Sequence, residues 1–383
     1  MAAKGDMLYA WSTDAEIQKK GECGGAVTAL LKYALEKKIV DGVLAVKKGI
    51  DIYDAQPTFI TDPKEIAQTS GSLHCGTLLL SKLVKKYLGG ADNTKIAITV
   101  KGCDAMGLYE LAKRKQVNLD NVVMIGMNCG GSVSPVIARK MILDKFGVDP
   151  DKVHKEEIDK GQFIIEYEGG HKGISMDELE EQGFGRRSNC RRCNYKVPRQ
   201  ADLACGNWGV IGDKAGKATF VEVCSEKGAN LLNGAVKAGV LATEAPSPKG
   251  LELRGKTENA MFKLGNKWRK KDFTALGANM WETINKETSR CIKCYSCIEN
   301  CPVCFTAAEE LIKSSLMVKP GEVPPNSMFH MRRFVHISDS CINCGQCEEL
   351  CPMDIPLALF SHAIRVEGDA TFEPKLGKAT YTN

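Results

Sequence analysis

The stretch from Cys291 to Cys351 spells one ligand pattern twice, and no other part of the chain narrows its chemistry as far. It reads Cys291-x-x-Cys294-x-x-Cys297-x-x-x-Cys301-Pro302, then Cys341-x-x-Cys344-x-x-Cys347-x-x-x-Cys351-Pro352. This is bacterial ferredoxin spacing, in which three thiolates on a tight loop grip three corners of a [4Fe-4S] cubane and the fourth ligates the other cluster. The predicted pairing is therefore Cys291, Cys294, Cys297 and Cys351 on one centre, and Cys341, Cys344, Cys347 and Cys301 on the second. Structural zinc takes four ligands in two separated pairs, not two triplets each trailed by Cys-Pro, so zinc or a disulfide framework is the weaker reading. The chain is expected to move electrons.

With 383 residues and 43% hydrophobic content, two or three globular domains are allowed. The start of the chain has no long apolar run, and no stretch approaches eighteen consecutive apolar residues. The expectation is a cytoplasmic protein without a signal peptide or membrane span. Seventeen cysteines in so long a chain favour metal or redox use over a disulfide scaffold. The net charge of +5 is dispersed, without the basic stripe of a nucleic-acid groove, so no nucleic-acid partner is expected.

Residues 1–240 alternate strand-like and helix-like patterns, which predicts an α/β domain. Strands are expected at 7–11, 43–46, 95–100, 122–127, 163–167 and 219–223. Helices are expected after Gly24-Gly25, at 77–88, 106–115, 135–146 and 229–238. Loops bearing Gly and Cys recur at the predicted strand ends, where open α/β sheets place ligands. Residues 241–284 read as a linker with a helix near 261–270, and the run Lys267 to Lys271 as a solvated helix face. Residues 285–365 form the two-cluster domain, of a small α+β bacterial-ferredoxin kind, and 366–383 a C-terminal tail. Lys319 to Pro325, between the two ligand loops, is either a docking surface for a partner or a simple surface loop.

Cys190-x-x-Cys193 alone fits a redox disulfide, half a zinc site or half an iron-sulfur site. Cys103 and Cys129 each end an apolar strand, where two loops of one sheet converge. Together these residues predict a third [4Fe-4S] cluster on Cys103, Cys129, Cys190 and Cys193, with Cys205 as the reserve ligand. Arg186, Arg187, Arg191 and Arg192 crowd it, either stabilising an anionic cluster or binding an anionic substrate. Cys23, Cys75, Cys224 and Cys304 are expected to pack as plain thiols. Clusters pass single electrons, so hydride chemistry on an organic substrate calls for a flavin. No G-x-G-x-x-G fingerprint is present, and the best phosphate site is Gly24-Gly25 at a helix start.

Gly-Glu-Cys-Gly-Gly-Ala-Val-Thr-Ala-Leu at 21–30, Lys-Gly-Cys-Asp-Ala-Met-Gly-Leu at 101–108, Ile-Gly-Met-Asn-Cys at 125–129 and Ala-Asp-Leu-Ala-Cys-Gly-Asn-Trp-Gly at 201–209 form an ordered set. Over roughly residues 5–240 the chain resembles the beta-subunit family of coenzyme F420-reducing hydrogenase. With the two-cluster module added, it resembles the formate dehydrogenase branch of that family from methanogenic archaea. The resemblance implies FAD beside a [4Fe-4S] cluster, with coenzyme F420 as substrate. By motif it places Gly24, Gly25 and Thr28 at the FAD, with Ser70, Gly71, Ser72, Lys101, Gly102, Asn128, Asn207, Trp208 and Gly209 as further contacts.

It also implies a relay. Formate would be oxidised in a catalytic alpha subunit carrying molybdenum or tungsten on a pterin, and electrons would pass through three clusters to FAD and leave as hydride on coenzyme F420. No residue here need act as acid or base on formate. The alternatives are an adaptor that feeds another redox complex such as heterodisulfide reductase, and a ferredoxin-linked reductase of another substrate, for which no spare length remains.

Overall fold

The computed structural model describes residues 1–312 and 327–372. Lys319 to Pro325, weighed above as a docking surface, lies outside the described residues, as does 373–383 of the expected tail. Eleven strands follow in chain order: β1 (Met7–Ser12), β2 (Gly42–Lys48), β3 (Ala55–Ile60), β4 (Ile96–Val100), β5 (Val122–Met127), β6 (Val153–Asp159), β7 (Gln162–Tyr167), β8 (Gly170–Ser175), β9 (Leu203–Gly206), β10 (Thr219–Val223) and β11 (Leu241–Glu244). Eight of them make one sheet in the order β11-β1-β10-β9-β5-β4-β2-β3, and β6, β7 and β8 make a second, antiparallel one.

The centre of the large sheet is parallel, β2 to β4 to β5 to β9. Parallel strands are covered on both faces, which is why β4 is apolar and buried throughout. Ile96, Ile98 and Val100 pack under the helices Ser81–Leu88 and Gly102–Lys113, while Ala97 faces the opposite layer, of Ala26–Glu36 and Glu226–Lys237. With these strands running one way, the last residues of β4, β5 and β9 lead into the helix start at Lys101 and Gly102 and into the loops at 128–131 and 207–209, along one edge. The small sheet packs Phe163 and Ile165 against Ala138 and Met141 of the helix Pro135–Met141.

Two expectations change. Residues 241–284 are not a linker around a short helix: β11 pairs with β1, and Pro248–Thr274 is one continuous helix of 27 residues. Ser247 and Pro248 look like loop residues, yet they are a helix start. Ser247 Oγ accepts from Gly250 N at 3.1 Å and Pro248 occupies the first turn. At 1.5 Å per residue this strut is roughly 40 Å long. It runs from Glu222 of β10, which accepts from Arg254 Nη2 at 3.1 Å, to the module, where Phe273 meets His362 edge-on. Within the run Lys267 to Lys271, the lysines are exposed as expected, but Trp268 turns inward beneath Arg191.

Secondly, among the described residues the two-cluster module has no strand. Each ligand loop runs straight into a single helical turn, Ser296–Glu299 or Gln346–Glu349, and Ser327–His336 and Leu357–Phe372 pack over them. The α/β domain and the ferredoxin-like module stand as expected, with helices alone among the module's described residues. Phe329, Phe334, Phe360, Ile337 and Ile298 make the core on which these helices pack. No helix among the described residues is long and apolar enough to cross a membrane.

Candidate iron-sulfur and flavin sites

The two ligand loops share a backbone shape as well as a spacing. Lys293 and Tyr295 in the first, and Asn343 and Gly345 in the second, take left-handed conformations, with φ of 51°, 62°, 52° and 76°. Three of these are not glycine, and each such residue costs about 1–3 kcal/mol unless the surroundings compensate. The turns aim amides inward: Lys293 N donates to Cys291 Sγ at 3.3 Å, and the Asn343 amide does the same for Cys341.

Cys301, Cys341, Cys344 and Cys347 line one small apolar cavity together with Arg333, Ile337 and Ile342. The other four gather at the outer end of the module, where Cys291 lies in the field of Cys294 and Cys351, and Cys297 in that of Cys291 and Cys294. Cys294 is exposed. Burial, then Cys347 and Cys301, pushes the Cys341 thiol up to about 12. Thiols crowded this way resist ionising together, and a cationic iron core among them reverses that. Cys301 thus gathers with the second triplet and Cys351 with the first, and eight thiols in two such groups suit two cubanes chemically.

A third group of four thiols assembles in the α/β domain. Cys103 stands in the first turn of Gly102–Lys113, one turn earlier than the expected helix start, and Cys129 follows β5. Cys190 and Cys193 come from the short helix Ser188–Arg191 and its exit. Cys103 lies in the field of Cys129 and Cys193, and Cys129 in that of Cys190. Burial raises Cys103 well above the ordinary thiol range, and Asp104 adds to it. Cys190 goes down instead, because Arg187, Lys196 and Ser132 outweigh its burial.

Cys205 is not among them. It belongs to β9, in register with Met127, and its side chain packs into the helix layer with Val221 and Leu203. Cys75 and Cys304 are buried, while Cys23 and Cys224 are half-buried.

The arginines divide by role. Arg186 is paired with Glu180 (Nη2–Oε2 3.0 Å), Arg192 Nη1 with Asp272 at 2.7 Å, and Arg191 stacks on Trp268. Arg187 faces both domains. Its Nε donates to Glu349 Oε2 at 3.0 Å, its Nη1 to the Cys344 carbonyl at 3.2 Å, and it lies beside Cys190. Around it, Asn189 Nδ2 donates to Asn343 O at 3.1 Å, Asn343 Nδ2 returns to Asn189 O at 3.0 Å, and Ser188 bonds Glu348. Leu79, Met106 and Ile342 close the seam with Cys103 and Cys344, and Cys344 lies within the field of Cys103. The third thiol group thus abuts the second.

The predicted flavin residues fall at the same sheet edge. Gly24 and Gly25 have φ of 72° and 69° and lead into Ala26–Glu36, an eleven-residue helix whose first turn no side chain caps. Its free amides suit a pyrophosphate. Thr28 Oγ1 lies 3.3 Å from Ser70 Oγ. Gly71 is left-handed, with open space where a side chain would be. Buried Glu156 holds the chain beyond Ser72, accepting from His74 N at 2.9 Å and Cys75 N at 2.7 Å.

Gly24, Gly25, Thr28 and Ser70 are therefore brought together. Lys101 instead turns to the third thiol group, donating to Leu78 O at 2.6 Å with Asp104 3.6 Å away. Gly102 lies against Tyr195, whose carbonyl a Cβ would meet at 2.2 Å. The Asn128 amide lies between Cys205 O and Arg254 Nη1, and turned to satisfy both it donates to the first at 3.3 Å and accepts from the second at 3.2 Å. Gly209 accepts from Tyr9 Oη at 2.6 Å, with Asn207 exposed and Trp208 half-buried.

A Cβ on Gly24 would stand 2.2 Å from the Lys217 carbonyl oxygen in a φ region only glycine adopts readily. Gly24→Ala should destabilise the domain by about 1–3 kcal/mol and lower the flavin content, read from thermal unfolding and released flavin. Lys196 was not anticipated by the sequence. Buried, it donates to Cys190 O at 2.9 Å and Gly130 O at 3.2 Å, and its place three residues after Cys193 was the available signal.

Comparison with known proteins places the chain in a family. Residues 7–85 and 93–249 match the coenzyme F420 hydrogenase/dehydrogenase beta subunit N-term and C terminus, and 287–355 match a 4Fe-4S dicluster domain. The F420-dependent formate dehydrogenase subunit beta of Methanocaldococcus jannaschii is 52% identical over 358 residues, covering 93% of this chain and 92% of that one. The F420-dependent formate dehydrogenase 1 subunit beta of Methanococcus maripaludis is 52% identical over 366 residues, covering 94% and 92%. Among solved structures, a chain of the F420-reducing [NiFe] hydrogenase complex from Methanosarcina barkeri has TM-score 0.61 at 22% identity, covering 73% of this chain and 95% of that one. It shares the fold.

Proposed function

The chain belongs to the coenzyme F420 hydrogenase/dehydrogenase beta-subunit family, and from that premise we propose that it is the electron-transfer and coenzyme F420-reducing subunit of a formate dehydrogenase. The observation that carries this reading is the continuity of the thiols. Cys297 stands in the field of Cys347, and Cys344 in that of Cys103, so three groups of four adjoin from exposed Cys294 to the α/β sheet edge. Cys291, Cys294, Cys297 and Cys351 hold the outer [4Fe-4S] cluster, Cys301, Cys341, Cys344 and Cys347 the middle one, and Cys103, Cys129, Cys190 and Cys193 the third.

Gly24, Gly25, Thr28 and Ser70 hold FAD, with Gly71, Ser72 and the other motif residues around it. When bound, FAD supplies the conversion between single electrons and the hydride that coenzyme F420 carries. The chain's own work is to bind, align and screen. Lys101 and Lys196 place two cations beside the third thiol group, and Arg187 clamps the seam over which electrons cross. No side chain is needed as acid or base on formate, whose oxidation falls to a catalytic partner subunit with a molybdenum or tungsten pterin.

The test is anaerobic. Iron, sulfide and released flavin are counted, then the protein is titrated with reduced coenzyme F420 while flavin and cluster absorbance are followed. The expected result is about twelve iron atoms, one FAD, and bleaching of both chromophores. Clusters without flavin, or a flavin indifferent to coenzyme F420, would overturn it in favour of an adaptor serving a complex such as heterodisulfide reductase.

A further inference from the structure

We propose that Arg333 sets the reduction potentials of both clusters in the C-terminal module, acting as one buried cation shared between them. The proposal rests on the cluster reading above and extends it to a residue outside every ligand motif. Arg333 comes from the helix Ser327–His336, and only 1% of its surface is exposed. On one side it lines the cavity of Cys301, Cys341, Cys344 and Cys347. On the other it lies within the field of Cys297, a ligand of the outer cluster.

None of its nitrogens, Nε, Nη1 or Nη2, has a nitrogen or oxygen acceptor among the described residues, and the group it approaches is the thiol of Cys347, a ligand of the middle cluster. Among the described residues the charges that act on it most strongly are thiols, Cys297, Cys347, Cys304 and Cys301, and not carboxylates. His330, one turn earlier on the same helix, also has both ring nitrogens unpartnered, and Phe329, Phe334 and Phe360 close the space. An isolated guanidinium buried among aromatic rings is strongly unfavourable. It becomes favourable once a four-thiolate cluster lies on each side, because each cluster is an anion.

Reduction makes a cluster more negative, so a fixed neighbouring cation favours the reduced form and raises the potential. A single charge between two clusters raises both together. That shifts both levels in the same direction and leaves the gap between them largely unchanged, so the module's potential is moved without opening a barrier between its clusters.

The test uses the full chain with its clusters loaded, iron counted first, then titrated against potential with the clusters read by electron paramagnetic resonance. In R333M the reduced-to-oxidised ratio of both module clusters at a fixed potential should fall at least about tenfold, which is 59 mV for one electron. R333K, which keeps the charge, should stay near the wild type, and the N-terminal cluster should be unmoved in both. R333M with full iron and unchanged ratios would overturn the proposal. If R333M loads too little iron to titrate, R333K decides. Full iron with near-native ratios supports the shared charge, whereas iron loss or a tenfold shift in R333K assigns the residue to packing and overturns it. A wild-type chain without iron would instead sink the cluster reading, so the two failures are distinct.

Discussion

Cys129→Ser is expected to cost the protein about a third of its iron, one cubane of three, while Cys205→Ser leaves the iron complement intact. Both cysteines lie near the C-terminal ends of neighbouring parallel strands, and the difference between them is a matter of register. Cys205 is paired with Met127 inside the sheet, so Cys129 lies two residues further on, past the end of β5. Strand side chains alternate, and that of Cys205 is committed to the helix layer with Val221 and Leu203. Its thiol is pushed up to about 12 by burial and then by Cys224, and no thiol of the third group is among the charges that act on it. Cys129, past the sheet edge, lies in the field of Cys190 and of two cations, Lys196 and Lys101. The check is iron and sulfide per chain in the two variants, with the electron paramagnetic resonance of the module clusters as internal standard. Iron retained in Cys129→Ser, or lost equally in Cys205→Ser, would move the ligand assignment to β9. The module signals are expected to persist in both variants, because their ligands come from a separately packed core.

The thiol sites were legible in the sequence to the extent that ligand identity is local. Cys-x-x-Cys-x-x-Cys places three thiols on one turn whatever surrounds it. The sequence did not show that Lys293 and Tyr295 adopt left-handed backbone to do so, since only Asn343 and Gly345 are of the types that favour it. Cys103 and Cys129 were predicted to converge because each followed an apolar run of strand length, and adjacent parallel strands end at one edge. Arg333 carries no such mark, and Arg187, though placed beside Cys190 by its position, shows nothing in sequence of its reach to the module. One clamps and the other bridges, and both roles exist only after distant segments meet. The misread stretch after β11 has a different cause. Pro and Ser in Ala245 to Gly250 are shared by loops and by helix starts, and only the hydrogen bond from Gly250 N to Ser247 Oγ tells which is meant.

Arg187→Ala should part the module from the α/β domain electrically while leaving each able to hold its cofactors. The side chain is 7% exposed, and its ion pair with Glu349, at 21%, crosses the seam together with the bond to the Cys344 carbonyl. Removing one partner of a buried pair costs about 3–5 kcal/mol, since the other charge is left without its mate. The remaining links are the paired amides of Asn189 and Asn343 and the contacts of Leu79, Met106 and Ile342. At about 1.4 kcal/mol per tenfold change, that loss multiplies the open population of the seam by about a hundred or more. The amides of 341–347 should therefore exchange with deuterium faster by that order. Electrons delivered by reduced coenzyme F420 should still reach a small artificial acceptor but bleach the module clusters more slowly than in the wild type. Arg187→Lys, which keeps the charge but not the two-directional fork, should fall between them. Unchanged exchange at 341–347 and an unchanged bleaching rate in Arg187→Ala would show that the seam is held by its apolar contacts alone, and that Arg187 serves only the field around Cys190.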